Sequence, residues 1–255
     1  PPSHLIDWQG MDWTPESGRN AAHPNARFTV SAARCPAIAP EWEDPEGAPV
    51  SAILIGGRRP GVVPLVTESL SWQHGVFMGS VMGSEITAAA ISDAIGQVRR
   101  DPFAMLPFIG YNVKDYLRHW LDVGKAFLPG QLPRIFSVNW FRKDAGGRFL
   151  WPGYGENARV LKWIFQRILG EAEAIETPAG LLPAPGALDL EGLEGVDEEQ
   201  VSQLLKVDIP EWRAEARSIR AYYDKLGEGM PAELKNELGA LEQRLGDPVD
   251  QPSAP

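Results

Sequence analysis

Five aromatic rings, Trp140, Phe141, Phe149, Trp151 and Tyr154, fall within fifteen residues, in the stretch Asn139 to Asn157, NWFRKDAGGRFLWPGYGEN, which also holds Gly146, Gly147, Gly153 and Gly155. Their spacing follows neither the strand nor the helix period. That is a poor way to build a core and a good way to sandwich a flat base. Asn157 stands where a helical pattern begins. Its amide can donate to and accept from a purine edge, and it is equally a preferred helix cap. A second group lies in IGGRRPGVVPL, residues 55–65, where an apolar run enters Gly56-Gly57 and then Arg58 and Arg59. Glycines let a ligand approach the backbone, and paired guanidinium groups stabilise phosphoryl oxygens as charge moves. Arg59 is expected to be the structural member of the pair, tied to a carboxylate. A third group, AAHPNARFTV at 21–30, sets the Asn25 amide beside the forked donor Arg27, a pairing suited to carboxylate or phosphate. Taken alone it also suits an ordinary surface loop.

The chain of 255 residues contains no Gly-x4-Gly-Lys-Ser/Thr phosphate loop, and His4, His23, His74 and His119 are scattered. No His, Cys, Asp and Glu cluster has metal-ligand spacing, and no nucleophile–base arrangement stands out. With 44% hydrophobic residues the composition suits a packed domain, and no apolar run approaches the ~18 residues of a membrane span. Cys35 is the single cysteine, which excludes an internal disulfide and suits a reducing cytoplasm; it reads as a small buried apolar residue. Residues 1–170 carry 17 Lys and Arg against 15 Asp and Glu, and residues 171–255 carry 7 against 19, which together give the net charge of −10. An acidic end argues against nucleic acid, whereas arginines clustered in a near-neutral region suit a small anion.

The elements that must position these residues read as a mixed α/β chain. Residues 1–50 are loop-dominated. Val50–Ile55 is expected to be a buried strand, with further strands at Val62–Val66, Gly75–Met78 and Arg134–Val138. Ser84–Ile95 is small and Ala-rich, either helix or mobile loop. Helical spacing covers Asn112–Val123 and Asn157–Leu169, the latter with Leu161, Ile164, Phe165 and Ile168 on one face and Gly170 at its end. Thr177–Gly186 reads as a Pro/Gly connector. Three helices follow: Glu198–Leu205 capped by Asp197, Pro210–Leu226 ended by Gly227, and one bracketed by Pro231 and Gly246. They read as a solvated helical cap, with Glu233 or Glu237 paired to Lys235 and Arg244. The expected division is 1–170 as the ligand-contacting part, 171–246 as the helical section and 247–255 as a disordered tail.

In order along the chain, IDWQGMDWTPESG, HPNARF, DPEGAPVSAILIGGRRPGVVPLV, WQHGVFMGS, RRDPFAMLPFIGYN and VNWFRKDAGGRFLWPGYGEN with its RVLKW helix resemble GTP-dependent phosphoenolpyruvate carboxykinase. The match is specific from about Leu5 to Gly170 and looser to about Leu245. It implies the C-terminal part of that family's nucleotide-binding α/β fold, with a helical C-terminal section. It also implies a cytoplasmic, usually monomeric enzyme of gluconeogenesis, a lyase that converts oxaloacetate and GTP to phosphoenolpyruvate, GDP and CO2 with Mn2+ or Mg2+.

By resemblance, Asn25 would hold the substrate carboxylate. Arg27 would bridge substrate and transferring phosphoryl group, and Arg58 would bind phosphates. Trp140, Phe141, Phe149 and Tyr154 would line the guanine, and Asn157 would read it. Glu85, Ile86, Thr87, Ala88, Ala89 and Ala90 would begin a lid, running to about Gly96, that shields the enolate from water. Tyr154 departs from the family's usual Phe, and the lid departs after its Ala-rich core. The metal ligands and phosphate loop of the family have no counterpart in this chain, so the chain alone is expected to be inactive. The alternative is a non-catalytic fragment that binds purine nucleotide or complements a separate piece.

Overall fold

A computed structural model describes residues 3–23, 30–86, 97–128 and 130–246. In chain order its strands and helices are β1 (Leu5–Ile6), β2 (Asp12–Trp13), β3 (Ala52–Gly56), β4 (Val66–Glu68), α1 (Trp72–Ser80), β5 (Gly83–Glu85), β6 (Val98–Arg100), α2 (Val113–Ala126), β7 (Arg134–Val138), α3 (Asn157–Leu169), β8 (Ala174–Thr177), β9 (Gly180–Pro183), α4 (Glu198–Leu205), α5 (Ile209–Leu226) and α6 (Ala232–Arg244). They fall into two compact units, Pro1–Pro49 with Ile86–Gln97, and Val50–Glu85 with Val98–Pro255. The expected boundary near residue 170 lies inside the second unit. The expected tail lies outside the described residues. Among the described residues no helix is long and apolar enough to cross a membrane.

The first unit is loop-rich, as its Pro and Asp content predicts. Residues 7–19 are tied together by the buried carboxylate of Asp7, which accepts from the backbone N–H groups of Gln9 and Met11 and from Arg19 Nε at 2.9–3.0 Å. Cys35 is exposed here, not buried as expected, within residues 30–37, all of which are exposed.

The second unit is built on a sheet of strand order β3-β7-β4-β9-β8. β3 and β7 are parallel, in register from Ala52↔Arg134 to Gly56↔Val138, and the other pairs are antiparallel. Alternation along β7 sends Ile135 to one core and Phe136 and Val138 to another. The first core gathers α1, α2, α5 and α6. The second gathers α3, α4, Trp151 and Leu188. The mixed α/β class expected from sequence is what this unit has.

Several expectations change. Gly75–Met78 is helix rather than strand, inside α1. Ser71 caps that helix by accepting from His74 N, and a short apolar run containing glycine does not distinguish the two periods. A Cβ on Gly75 would lie 2.6 Å from Ile135 of β7, and one on Gly79 would lie 2.3 Å from the Phe103 ring. The helix therefore rests directly on its neighbours at these two points. Of Val62–Val66 only Val66 is in a strand. β3 is an edge strand with Leu54 40% exposed, so Val50–Ile55 is not buried throughout.

The expected connector at 177–186 instead holds most of the β8–β9 hairpin, turning between Thr177 and Gly180 and joining the sheet through Glu68↔Leu181. The Ala-rich segment starts as β5 at Ser84–Glu85, and residues 87–96 lie outside the described residues. α3 spans the expected residues and ends on Gly170 at φ +75°, but it buries Val160, Trp163 and Ile164, while Phe165 is 64% exposed. Its apolar residues fit two stripes, and packing selected the one carrying tryptophan. The charged pairs of the last helices reach across elements: Glu233 binds Lys125, Glu237 accepts from Gln73, and Arg244 donates to Pro178 O. α4 and α5 begin at Asp197 and Asp208, whose carboxylates accept from the N–H groups of Gln200 and Glu211.

Because Gly75 touches β7 with no room for a methyl group, Gly75→Ala is expected to destabilise the second unit by about 1–3 kcal/mol despite its gain in helix propensity. The midpoint of urea unfolding measures this; an unchanged or raised midpoint would show that α1 can shift away from the sheet.

Candidate functional site

Parallel strands deliver ligand-binding loops at their carboxyl ends. Here the last register pair of β3 and β7 is Gly56↔Val138, so Gly57-Arg58-Arg59 and Asn139-Trp140-Phe141 leave the sheet side by side. The two loops are fastened by Asn139, only 1% exposed. Its Oδ1 accepts from Arg59 N at 3.2 Å and Phe141 N at 3.3 Å, and its Nδ2 donates to Arg59 O at 2.9 Å and Val63 O at 2.8 Å. One amide thus uses all its main bonding directions on backbone.

The glycines before the arginines serve packing. A Cβ on Gly56 would meet Val138 O at 2.4 Å, and one on Gly57 would meet Gly83 O at 2.3 Å. The space that sequence reasoning reserved for a ligand is filled by the protein's own backbone.

The two arginines differ sharply. Arg59 is buried and donates both Nη atoms to Glu215 of α5 at 2.9 and 2.8 Å, so it is the structural member expected. Glu215 also accepts from Arg100 Nη1 at 2.8 Å. Burial pushes the Glu215 carboxyl up, and the two guanidinium groups outweigh that and hold it below the ordinary range. Arg58 is exposed. Its backbone is held by β5: N donates to Ser84 Oγ at 3.1 Å, and O accepts from Glu85 N at 2.7 Å. Its Nε reaches Glu85 O at 3.4 Å, and among the described residues no carboxylate pairs with it. An anchored backbone carrying an unpaired guanidinium is suited to an incoming anion.

The aromatic stretch is a hairpin rather than an open loop. Lys143 and Phe149 form a bridge, Leu150 N donates to Arg142 O, Asp144 N donates to Arg148 O, and Asp144 accepts from Gly147 N at its carbonyl and from Arg148 N at Oδ1 around the turn. This return brings the Phe141 and Phe149 centroids to 6.0 Å at 74°. Phe149 is 58% exposed and Tyr154 95% exposed, on a backbone at φ +51°. A strained, solvated tyrosine and a half-open phenylalanine contribute little to a core. Trp140 is half-buried against the second core, and Trp151 is fully buried there, so composition alone overstated the number of open rings.

Trp151 has a different task. Its Nε1 donates to Asn157 Oδ1 at 2.9 Å. Indole can only donate, so the amide oxygen must face it, which leaves Nδ2 as the group Asn157 can offer outward. Asn157 is the first residue of α3 and its side chain does not cap the helix.

Sequence reasoning missed Asn139, Ser84, Glu215 and Lys143. Lys143 Nζ lies 5.3 Å from the Phe149 centroid and 3.9 Å from Glu85 Oε2, between the rings and the Arg58 cradle. The only local signal was a polar residue at the end of each strand; the Glu215 contact spans 156 positions. Of the expected lid, Glu85 ends β5 and Ile86 N donates to Gln97 O at 2.8 Å. Thr87, Ala88, Ala89 and Ala90 lie outside the described residues, as do Asn25 and Arg27. Among the described residues no group of three His, Cys, Asp or Glu could hold a metal ion.

Asn139→Ala would strand buried N–H and C=O groups on both loops. It is expected to lower stability by about 2–4 kcal/mol, read as the shift of the denaturation midpoint; a loss below about 0.5 kcal/mol would mean water replaces the amide without cost.

A family model, described as phosphoenolpyruvate carboxykinase C-terminal P-loop domain, matches residues 1–244. The phosphoenolpyruvate carboxykinase [GTP] of Treponema pallidum (strain Nichols) is 54% identical over 249 residues, covering 94% of this chain and 40% of the relative. That of Renibacterium salmoninarum is 53% identical over 245 residues, covering 96% and 40%. That of Arthrobacter sp. (strain FB24) is 53% identical over 246 residues, with the same two coverages. The chain spans about 40% of the length of these curated relatives.

Proposed function

This chain belongs to the GTP-dependent phosphoenolpyruvate carboxykinase family, as a C-terminal portion, and we propose that within a longer enzyme it supplies the base-facing wall and one phosphate-facing arginine of the guanine-nucleotide site. The reaction proposed for that enzyme is the conversion of oxaloacetate and GTP to phosphoenolpyruvate, GDP and CO2, in cytoplasmic gluconeogenesis. The observation that carries the reading is the pairing, at the ends of two parallel strands, of an exposed aromatic hairpin with an anchored Arg58 that no carboxylate of the described residues engages.

Each residue then has a task that follows from its surroundings. Phe141, Phe149 and Tyr154 offer ring faces to a purine, and Trp140 backs them from the core. Asn157 Nδ2, turned outward by Trp151, donates to an acceptor on the base edge. Guanine presents the O6 acceptor where adenine presents the N6 amine donor, so a fixed donor favours guanine. Arg58 places a delocalised positive charge against phosphate oxygens. Phosphoryl transfer depends on such positioning and charge neutralisation, and desolvation strengthens both. Asn25 and Arg27 are proposed by resemblance to hold the substrate carboxylate and bridge it to the transferring phosphoryl group.

A divalent metal belongs to the family's chemistry by resemblance. The described residues here do not form a set of ligands for one. No step through a metal is therefore assigned to these side chains, and the metal and phosphate loop are proposed to be held by the rest of the enzyme.

The test separates the reading of the base from the packing of Trp151. Asn157→Asp keeps an oxygen for the indole N–H and replaces the outward donor with an acceptor. In the intact enzyme it is expected to cut the preference for GTP over ATP, as a ratio of kcat/KM, by roughly 10–100-fold with the fold retained. Asn157→Ala should weaken the same ratio. Unchanged ratios in both variants would reduce Asn157 to the partner of Trp151.

A further inference from the structure

We propose that Glu215, on a helix of the C-terminal section, is a positioning residue for Arg58, holding both of the elements between which Arg58 is seated. The first element is the chain itself. Arg59 directly follows Arg58, and its fork is closed on Glu215 by bonds of 2.9 and 2.8 Å. The second is the β5–β6 pair. Among the described residues, Ser84 and Glu85 of β5 make the hydrogen bonds to Arg58. Arg100 of β6, in register with Gly83 of β5, donates to Glu215 Oε1 at 2.8 Å.

One carboxylate therefore grips the residue after Arg58 and the strand behind it. Arg100 adds bonds to Val81 O at 2.7 Å and Ser218 Oγ at 2.9 Å, which tie β6 to the end of α1 and to α5. The burial sorts the charges. The side chains of Arg59, Arg100 and Glu215 are 9–11% exposed, while Arg58 stays open. Of Arg58, Arg59 and Arg100, Glu215 engages the last two. Arg58 is the member of the three left open to an anion.

Without Glu215, two guanidinium groups lose their buried partner and gain freedom to turn toward any nearby negative charge. The loop that aims Arg58 would lose the side-chain anchor at Arg59 and the brace on β6 at the same time, and keep its backbone bonds to Asn139, Ser84 and Glu85. Both Glu215 oxygens are engaged by Arg59 and Arg100, so its influence passes through them. An ion pair that serves the fold alone would change stability and nothing else.

The inference rests on the nucleotide reading above, so its test carries a control for that reading. In the intact enzyme containing this chain, Glu215→Gln, Glu215→Asp and Arg58→Ala would be compared for KM of GTP, KM of oxaloacetate, the GTP-to-ATP preference and GDP affinity. Glu215→Gln is expected to raise the KM of GTP and weaken GDP binding on the order of tenfold. The base preference should stay at its wild-type value, because the Asn157 wall is untouched. Glu215→Asp, with the charge kept, should recover part of the loss.

Wild-type GTP KM and GDP affinity in Glu215→Gln, with only a lowered melting temperature, would overturn the proposal. If Glu215→Gln does not fold, Arg100→Lys replaces it; this variant keeps the charge toward Glu215 but loses the fork that also binds Val81 and Ser218. It should weaken GDP binding several-fold in the same direction, and wild-type affinity there would equally overturn the inference. An Arg58→Ala variant with unaltered GDP affinity would overturn both this inference and the phosphate assignment beneath it. A normal Arg58→Ala defect beside a silent Glu215→Gln would overturn this inference alone.

Discussion

The buried amide of Asn139 is the constraint on which the site depends. A parallel strand pair places two loops next to each other but does not fix their conformations. Asn139 does so by spending both carboxamide atoms on backbone: Arg59 and Val63 on one side, Phe141 on the other. No water competes at 1% exposure. Each stranded backbone group would cost about 1–3 kcal/mol, so the arginine loop and the start of the aromatic hairpin hold one mutual arrangement. Everything proposed about the nucleotide follows from that: rings on one loop, a guanidinium on the other, and a distance between them set by a core residue.

Charge is organised around the same point. Arg58 and Arg59 are neighbours in sequence, yet one is exposed and the other buried on a carboxylate from a helix far along the chain. The acidic C-terminal residues looked like a solvated cap. Several of them instead act as counter-charges for the first 170 residues: Glu215 for Arg59 and Arg100, Glu233 for Lys125. The negative excess of residues 171–255 is thus partly spent inward, and ion pairs tie the helical section to the loop after β3, to β6 and to α2.

Locally encoded features were legible in the sequence. α4 begins at its Asp197 cap, α3 ends at Gly170, and β7 spans the expected Arg134–Val138. The aromatic stretch, the arginine pair and the structural role of Arg59 were legible from residue type, and the family was legible from six ordered motifs. Other features depended on distant contacts. Gly75 and Gly79 look like strand or loop residues until Ile135 and Phe103 are seen against them. The glycines before Arg58 looked like ligand space until the Val138 and Gly83 carbonyls filled it. Trp151 was indistinguishable from its open neighbours because burial depends on Val160, Trp163 and Leu188, not on spacing. Asn139 and Glu215 were invisible for the same reason: their meaning lies in partners 80 and 156 positions away.

The central claim is that the hairpin from Trp140 to Tyr154, with Asn157, faces a guanine base. Photolabelling of the intact enzyme with 8-azidoguanosine triphosphate, followed by mass-spectrometric mapping of the adducts, tests it most directly. Adducts confined to residues 140–157, and suppressed by excess GDP but not by excess ADP, are predicted. Adducts that GDP displaces but that map wholly outside this stretch would contradict it.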